Sequence, residues 1–402
     1  MRKTGLSMLK FVTTIGILMS IMLAVVNLSV LASEAFQIRS KTVPLTSNQN
    51  KILIEFSDQL TKGKDFNNIS VFMNNKKLKI TKTLSGTKLL ITINDKLQKK
   101  ITYKVVIPAG ALQNKKNITN KLIEFSFQLK DWPNIIRYGV IPYESQEKIA
   151  KTYKPLVDAL SSYLGIKVEM YMATDYTAVI EAMRTKKIDV AEFGPFSYVI
   201  AHDRSGAEAF ATPAKSPQKA YYYSLIIVNS KSDIKSLDDL KGKRFLFVDP
   251  ASTSGNLFPR YMLAKHFGLS SSDQVDKIFS NVAFSGGHDA SILAIARGDA
   301  DAAGVASDTL EKMIKAGMIK EADIRIIKKS DPIPKDPVCY RKDLPRDLKD
   351  KIKEFFITFK DKKFFDELGV SGYYPMDDSS YNVIRNVIKT LNITPESILK
   401  KK

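Results

Sequence analysis

The sequence predicts an all-β domain followed by a larger α/β domain, and three observations support this prediction. Between residues 36 and 130, short alternating runs of apolar and polar residues are separated by turn-forming or charged clusters. From residue 134 onward, apolar strand-like runs alternate with segments of helical spacing, a pattern typical of parallel sheets covered by helices. The length of 402 residues also exceeds the usual size of a single domain.

In the all-β part, a β-sandwich is expected from several short strands at this spacing. The strands are predicted at residues 52–56, 78–83, 88–93, 103–107 and 123–128.

In the α/β part, the apolar runs and the helical spacing give the order of the elements. Strands are predicted at residues 135–141, 167–171, 190–193, 222–228, 244–248 and 301–306, and helices at 146–164, 176–185, 195–201, 257–267 and 290–296. In such folds a ligand binds at the carboxyl ends of the strands.

The amino terminus has the composition of an export signal. Basic residues within the first ten positions precede an almost wholly apolar run at 11–32, and small residues follow. We therefore predict that residues 1–32 are a signal peptide. Because the apolar run is long enough to cross a bilayer, an uncleaved membrane anchor is the alternative.

The formal net charge of +20 indicates anionic partners. No basic motif interleaved with aromatic residues is found, so we expect no nucleic-acid partner. Attraction to anionic envelope surfaces and steering of small anions toward a cleft remain as explanations. The only cysteine, Cys339, lies in an apolar stretch and is expected to be a buried small hydrophobe rather than a nucleophile.

The segment 249–255 (Asp-Pro-Ala-Ser-Thr-Ser-Gly) lies between a predicted strand and a predicted helix. The first N–H groups of a helix lack internal partners, and the helix dipole favours negative charge there. The hydroxyls of Ser252, Thr253 and Ser254 therefore predict a site for a tetrahedral oxyanion that needs no metal. The alternative is an ordinary helix N-cap, because Ser and Thr are common at that position.

Seven short motifs, in this order and spacing, resemble those of the substrate-binding proteins of phosphonate, phosphite and phosphate ABC transporters. They are Glu144-Ser145-Gln146, Thr174-Asp175-Tyr176, Ile188-Asp189-Val190-Ala191, Phe193-Gly194-Pro195, residues 249–255, Gly287-His288-Asp289 and Ile333-Pro334-Lys335-Asp336-Pro337. The resemblance spans residue 135 to about 376. Separately, residues 103–112 resemble a signature of bacterial Ig-like domains of the S-layer type, which implies that 36–130 is an Ig-like sandwich.

The resemblance implies the type II periplasmic binding protein fold, in which two α/β lobes close over a ligand. The binding domain would span 134–402, with one lobe at about 134–224 and 338–402 and the other at about 228–330. Hinges are expected where the chain crosses between the lobes, near 224–229 and 327–337.

The resemblance also implies an oxyanion site formed by Ser252, Thr253, Ser254 and His288, with Tyr176 donating from the opposite lobe. Hydroxyls, backbone N–H groups and an imidazole are suitable donors to phosphorus oxygens. A tyrosine at a helix start can instead serve packing alone, and His288 beside two glycines can be a surface cap.

The resemblance implies a role in the site for three further positions. Phe193 stands where aminoalkylphosphonate binders have a tyrosine, which leaves an apolar wall. Asp308 stands where those binders place a longer glutamate that pairs with the ligand amine, and Asp336 matches their second carboxylate. These carboxylates would pair with an ammonium group or accept the proton of a monoprotonated phosphonate or phosphite. The alternatives are a helix N-cap for Asp308 and an Asp-Pro turn for Asp336.

The resemblance implies an extracytoplasmic solute-binding protein of an ABC importer, which binds a small phosphorus oxyanion and delivers it to a membrane permease. We expect a monomer with no metal and no cofactor. The alternative is a sensor or adhesion protein that uses the same cleft to signal to a membrane partner. An enzyme is disfavoured, because the three histidines lack metal-ligand spacing and no Gly-x-Ser-x-Gly elbow occurs.

Overall fold

The computed structural model describes residues 36–394 and 397–398, so the predicted signal peptide or anchor at 1–32 lies outside the described residues. The chain folds as two compact units, which divide between Asp131 and Trp132. No helix in the described part of the chain is long and apolar enough to cross a membrane.

The first unit is an all-β sandwich, as the sequence predicts. Its strands are β1 (Ile38–Thr42), β2 (Lys51–Phe56), β3 (Leu60–Lys62), β4 (Ser70–Met73), β5 (Lys76–Lys77), β6 (Ile80–Ser85), β7 (Lys88–Ile93), β8 (Thr102–Ile107), β9 (Leu112–Asn114) and β10 (Ile123–Gln128). Two antiparallel sheets, ordered β1-β2-β7-β6 and β10-β8-β4-β5, enclose one core, and β3 pairs with β9. Alternate residues of β2 and β8, such as Ile54 and Val105, are fully buried in it, which explains the period-two pattern.

The second unit contains the alternating strands and helices. Its strands are β11 (Ile135–Val140), β12 (Lys167–Tyr171), β13 (Val190–Glu192), β14 (Glu208–Ala214), β15 (Tyr221–Tyr222), β16 (Ser224–Asn229), β17 (Arg244–Phe247), β18 (Asn281–Phe284), β19 (Ala302–Ala306), β20 (Ile324–Lys329), β21 (Ile333–Pro334), β22 (Val338–Tyr340) and β23 (Gly372–Pro375). Its helices are α1 (Gln146–Leu164), α2 (Tyr176–Arg184), α3 (Pro195–Ser205), α4 (Phe258–Phe267), α5 (Ser272–Asp276), α6 (His288–Arg297), α7 (Ser307–Lys315), α8 (Arg346–Thr358), α9 (Lys362–Leu368) and α10 (Asn382–Thr390).

Two sheets define the two lobes of this unit. The first lobe contains the sheet β12-β11-β13-β22-β14-β23, and the second contains the sheet β18-β17-β19-β16-β20. Three neighbouring strands are parallel in each sheet, β12-β11-β13 and β18-β17-β19. The prediction of parallel sheets is thus wrong in part. The strands β22 and β16, which follow the crossings between the lobes, enter their sheets antiparallel to β13 and β19.

The crossing itself is a short two-stranded ribbon. Tyr221–Tyr222 (β15) pairs with Ile333–Pro334 (β21), so the two connecting segments run side by side. The prediction of a second hinge near 327–337 includes β21. The first crossing lies just before the hinge predicted near 224–229, since Ser224–Asn229 is itself the buried strand β16 of the second lobe.

The carboxy-terminal helix packs on both lobes. Residues of α10 and the segment after it belong to one hydrophobic cluster with Phe196 of the first lobe and Leu263 of the second. Asn392 Nδ2 donates to the carbonyl of Ser270 at 3.0 Å. This contact ties the end of the described chain to the second lobe.

Candidate ligand-binding site

The segment after β17 forms a strand–turn–helix unit with an unusual first turn. Residues Thr253–Leu257 make one turn of π-helix before α4 begins, and such turns are frequent at functional sites. Ser252 is the N-cap, and its Oγ accepts from the Gly255 N–H at 3.1 Å. Gly255 is required because a Cβ there would lie 2.4 Å from Cγ2 of Val248.

A cavity of about 80 Å³ lies between the two lobes. All eight predicted site residues belong to the described part of the chain, and seven of them line this cavity: Ser252, Thr253, Ser254, His288, Tyr176, Asp308 and Asp336. The lining also includes residues that the sequence did not single out, among them Glu192, Tyr222, Lys312 and Lys335.

The predicted apolar wall at Phe193 is not part of this lining. Phe193 is fully buried in the hydrophobic core, while its neighbours Glu192 and Gly194 line the cavity. Successive side chains on a strand point to opposite faces. Because Glu192 faces the cavity, Phe193 faces the core.

Five helical segments of the described chain begin at the cavity. They are α2, α3, α6, α7 and the π-helical turn, and residues at or beside each start line the cavity: Tyr176, Gly194, His288, Asp308 and Thr253. Each helix start places the positive end of its dipole at the cavity. These dipoles favour negative charge in the cavity.

Hydrogen bonds join the lobes around the cavity. They run from Phe196 N to Thr253 Oγ1 at 2.8 Å, from His288 N to the Tyr143 carbonyl at 3.0 Å, and from Tyr176 N to Asp249 Oδ2 at 3.3 Å. The two lobes are thus closed on each other around the cavity. Asp249 braces the start of α2 from the opposite lobe, and its burial raises its pKa to about 6.

His288 is a buried, neutral donor. Its Nδ1 accepts from the backbone N–H of Ala306 at 3.1 Å, so the hydrogen of the neutral ring must lie on Nε2. Burial lowers the pKa of His288 to about 4, although nearby Asp308 acts in the opposite direction. At neutral pH the imidazole can therefore donate one hydrogen bond into the cavity.

Two tyrosines bring their hydroxyl groups to the same place. Tyr176 from the first lobe bonds with Ser252, and Tyr222 from the crossing ribbon bonds with Ser254 and Thr253. Burial raises the pKa of both phenols well above the ordinary value, so both keep their protons. The two tyrosines add two donors to the three hydroxyls of Ser252, Thr253 and Ser254.

Two buried carboxyl groups have raised pKa values. Burial raises the pKa of Asp336 to about 8, and that of Glu192 to about 7. Glu192 accepts hydrogen bonds from the hydroxyls of Tyr153 at 2.9 Å and Tyr138 at 3.4 Å, which oppose the shift. At pH 7, Asp336 is mostly protonated and can itself donate a hydrogen bond.

Asp308 forms an ion pair with Lys335 at the edge of the cavity. The N-cap of α7 is Ala306, so Asp308 stands inside the first turn and is not the cap. The alternative interpretation of Asp308 as an N-cap is therefore wrong. Across residues 36–394 and 397–398, no cluster of histidine, cysteine and acidic residues could hold a metal ion.

Comparison with known proteins gives one result for each unit. Residues 138–381 match the family of "ABC transporter, phosphonate, periplasmic substrate-binding protein", and residues 34–128 match the bacterial Ig-like domain.

Two curated relatives cover most of the second unit. The phosphonates-binding periplasmic protein of Escherichia coli K12 is 32% identical over 260 residues, which are 63% of this chain and 75% of that protein. The phosphate-import protein PhnD of Mycolicibacterium smegmatis is 34% identical over 276 residues, which are 64% of this chain and 85% of that protein.

A solved structure agrees with these relatives. A binding protein component of an ABC phosphonate transporter from Pseudomonas aeruginosa is 30% identical, with a TM-score of 0.59 over 64% of this chain and 86% of that one. Together with the two-lobed fold, these matches confirm the family that the motifs indicated. The chain belongs to the periplasmic substrate-binding proteins of phosphonate ABC transporters and carries an amino-terminal bacterial Ig-like domain.

Proposed function

We propose that this protein is the extracytoplasmic receptor of an ABC importer and that it binds a small phosphorus oxyanion between its two lobes. The observation that supports this most strongly is the convergence of five helix starts and three consecutive hydroxyl side chains on one cavity. Such an arrangement stabilises negative charge without a metal.

The ligand is a phosphonate, phosphite or phosphate. Ser252, Thr253, Ser254 and His288, here called the anion site, donate to its oxygens, and Tyr176 donates from the opposite lobe. The cavity of about 80 Å³ is small, which suits a compact ligand better than a large one. The names of the two curated relatives, one for phosphonates and one for phosphate, agree with this ligand class.

Binding needs no chemical step. The lobes close over the ligand, and the closed form is the signal that a membrane permease reads. The protein acts outside the cytoplasm, exported by residues 1–32, as a monomer that neither catalyses a reaction nor binds nucleic acid.

Calorimetric titration of the purified protein tests this proposal. The ligands are methylphosphonate, phosphite, phosphate, 2-aminoethylphosphonate and, as a tetrahedral anion without phosphorus, sulfate. A hydrogen bond to a charged group contributes about 1.5–3 kcal/mol. Ser254→Ala, whose side chain does not cap the helix, should therefore weaken the binding of a phosphorus oxyanion roughly 10- to 150-fold. Ser252→Ala should weaken it at least as much, because Ser252 also caps the turn.

The matched control is Ser162→Ala, which removes the same group from an exposed position on α1. It should bind like the wild type. Binding of no phosphorus oxyanion by the wild-type protein, or equal affinities for the wild type and Ser254→Ala, would overturn the proposal.

A further inference from the structure

One cation of the cavity lining is paired with a carboxylate that could otherwise receive a cationic substituent of the ligand. The ammonium group of Lys335 pairs with the carboxylate of Asp308, and both side chains line the cavity next to the anion site. The side chain of Lys335 is only 17% exposed and that of Asp308 only 34%. The pair is therefore partly withdrawn from water, where a charge pair is stronger than on an open surface.

The backbone around Lys335 is held in place. Its N–H donates to the carbonyl of Ala220 at 3.1 Å, and its own carbonyl accepts from the hydroxyl of Tyr381 at 2.9 Å. Its ammonium lies 5.7 Å from the ring centre of Tyr222, whose hydroxyl bonds with the anion site. The cation is thus built into the wall of the cavity.

The other two carboxyl groups that line the cavity also have hydrogen-bond partners or a proton. Glu192 accepts from two tyrosine hydroxyls, and buried Asp336 is mostly protonated at neutral pH. Within the part of the chain that the structure describes, each of the three carboxyl groups on the cavity lining already has a partner or a proton. A ligand ammonium would have to displace Lys335 to gain a carboxylate.

The surroundings of this pair are basic as well. A second cavity of about 860 Å³ shares Asp308, Lys312 and Lys335 with the first. Three more lysines line it, Lys215, Lys219 and Lys315, against the carboxylates of Glu311 and Asp366. An excess of lysine along this wall attracts small anions and repels a cationic substituent.

We infer that Lys335 is a specificity residue that takes the place of a ligand ammonium group, so that the protein selects phosphorus oxyanions without an amine. This inference deepens the proposed function and depends on it. The preferred ligands are phosphite, phosphate or an alkylphosphonate with an uncharged substituent, and 2-aminoethylphosphonate is discriminated against.

The test measures the ratio of the dissociation constants for 2-aminoethylphosphonate and methylphosphonate by calorimetry. Lys335→Met keeps most of the apolar stem, removes the charge and frees Asp308. The ratio should fall about tenfold in favour of the amine. Lys335→Arg keeps the positive charge and should retain the wild-type ratio. In Lys335→Met/Asp308→Asn the gain for the amine should be lost, because the freed carboxylate is gone.

Lys353→Met, which removes an exposed lysine of α8, is the matched control and should leave the ratio unchanged. A wild-type protein that binds methylphosphonate but prefers 2-aminoethylphosphonate would overturn this inference and leave the proposed function standing. An unchanged ratio in Lys335→Met would do the same. Failure of the wild type to bind any phosphorus oxyanion would instead overturn the proposed function itself.

Discussion

At the scale of single residues, the cavity offers its ligand hydrogen-bond donors whose protonation is set by burial. His288 would be a poor cation in this site, because burial lowers its pKa to about 4 and Ala306 fixes its tautomer. The pKa of Asp336 is shifted in the opposite direction, to about 8. Its carboxyl group therefore keeps a proton at neutral pH and can donate a hydrogen bond. One buried histidine and one buried aspartic acid thus both present a neutral N–H or O–H group to an anion.

The raised pKa of Asp336 predicts that ligand binding depends on pH. As the pH rises through about 8, its carboxyl group loses its proton, ceases to donate and repels the ligand. We expect the affinity for methylphosphonate, measured by calorimetry from pH 7 to 9.5, to fall through this range. Asp336→Asn keeps a donor that does not ionise, so its affinity should fall less. Parallel curves for the two proteins would contradict this role, since the ionisation of the ligand itself affects both equally.

The raised pKa of Asp336 also predicts that the stability of the folded protein depends on pH. The pKa of Asp336 is raised from an ordinary value near 3.9 to about 8 in the folded protein, so the unfolded chain binds fewer protons between these values. Asp336 therefore makes the free energy of unfolding fall as the pH rises from about 4 to about 8. Chemical denaturation should show Asp336→Asn gaining stability over the wild type at pH 7 and losing that gain near pH 4. A constant difference at both pH values would count against the buried, protonated carboxyl group.

At the scale of elements, the π-helical turn Thr253–Leu257 determines where the three hydroxyls lie. The close approach of Gly255 to Val248 leaves no room for a side chain, and the carbonyl of Gly255 accepts from the N–H of Val248 at 3.0 Å. The turn is thus fastened to the end of β17, and the orientation of the anion site depends on this packing.

Substitution at Gly255 should therefore affect stability and binding together. Gly255→Ala places a Cβ 2.4 Å from Cγ2 of Val248, and overpacking of this kind costs about 1–3 kcal/mol. We expect a lower free energy of unfolding in denaturant titration and at least a tenfold loss of affinity by calorimetry. Gly372→Ala is the matched control, because the nearest atom to its added Cβ is 4.0 Å away. Wild-type affinity in Gly255→Ala would show that the turn does not position the ligand.

The elements were largely predictable from the sequence, because strong periodicity and helix-end signals mark them. The predicted helix at 146–164 is α1 as found, and Gly165 ends it in the left-handed conformation that glycine favours. The start of the helix after β17 was less predictable, since no local pattern distinguishes a π-helical turn from a loop before an α-helix. The mixed sheets depend on where the chain crosses between the lobes, which periodicity does not reveal.

Part of the cavity lining could not be predicted for a similar reason. Glu192 ends a short buried strand, and its hydroxyl partners Tyr153 and Tyr138 lie 39 and 54 residues away along the chain. Only tertiary contact makes it a member of the site. Lys335 offered a usable signal, because it lies inside the Ile-Pro-Lys-Asp-Pro motif beside Asp336. Little in the sequence indicated that Tyr222 belongs to the site, since a tyrosine in an apolar run is most often a core residue.

At the scale of the whole molecule, the chain consists of two compact units with separate hydrophobic cores, and all residues that line the proposed site belong to the second. A ligand that binds one unit stabilises that unit through the mass-action term RT ln(1 + [L]/Kd). The division into units therefore has a consequence that can be measured on the intact protein.

Differential scanning calorimetry of the full chain should resolve two unfolding transitions. Methylphosphonate at about 100 times its Kd adds roughly 2.7 kcal/mol to the stability of the unit that begins at Trp132. We expect one midpoint to rise on the order of 5 °C and the other to stay fixed. A ligand that shifts both transitions equally would show that the two units do not unfold independently. At the same ligand concentration, Ser254→Ala should reduce the shift to about half or less, because a roughly 10- to 150-fold higher Kd leaves a smaller mass-action term.

A crystal structure of the protein with methylphosphonate would test the proposed anion site most directly. We expect a phosphonate group in the cavity between the lobes, with its oxygens within hydrogen-bond distance of the hydroxyls of Ser252, Thr253 and Ser254 and of Nε2 of His288. The methyl group should point toward the ion pair of Asp308 and Lys335, with that pair intact. A phosphonate bound outside the cavity, or bound inside it without contact to the π-helical turn, would contradict the proposed anion site.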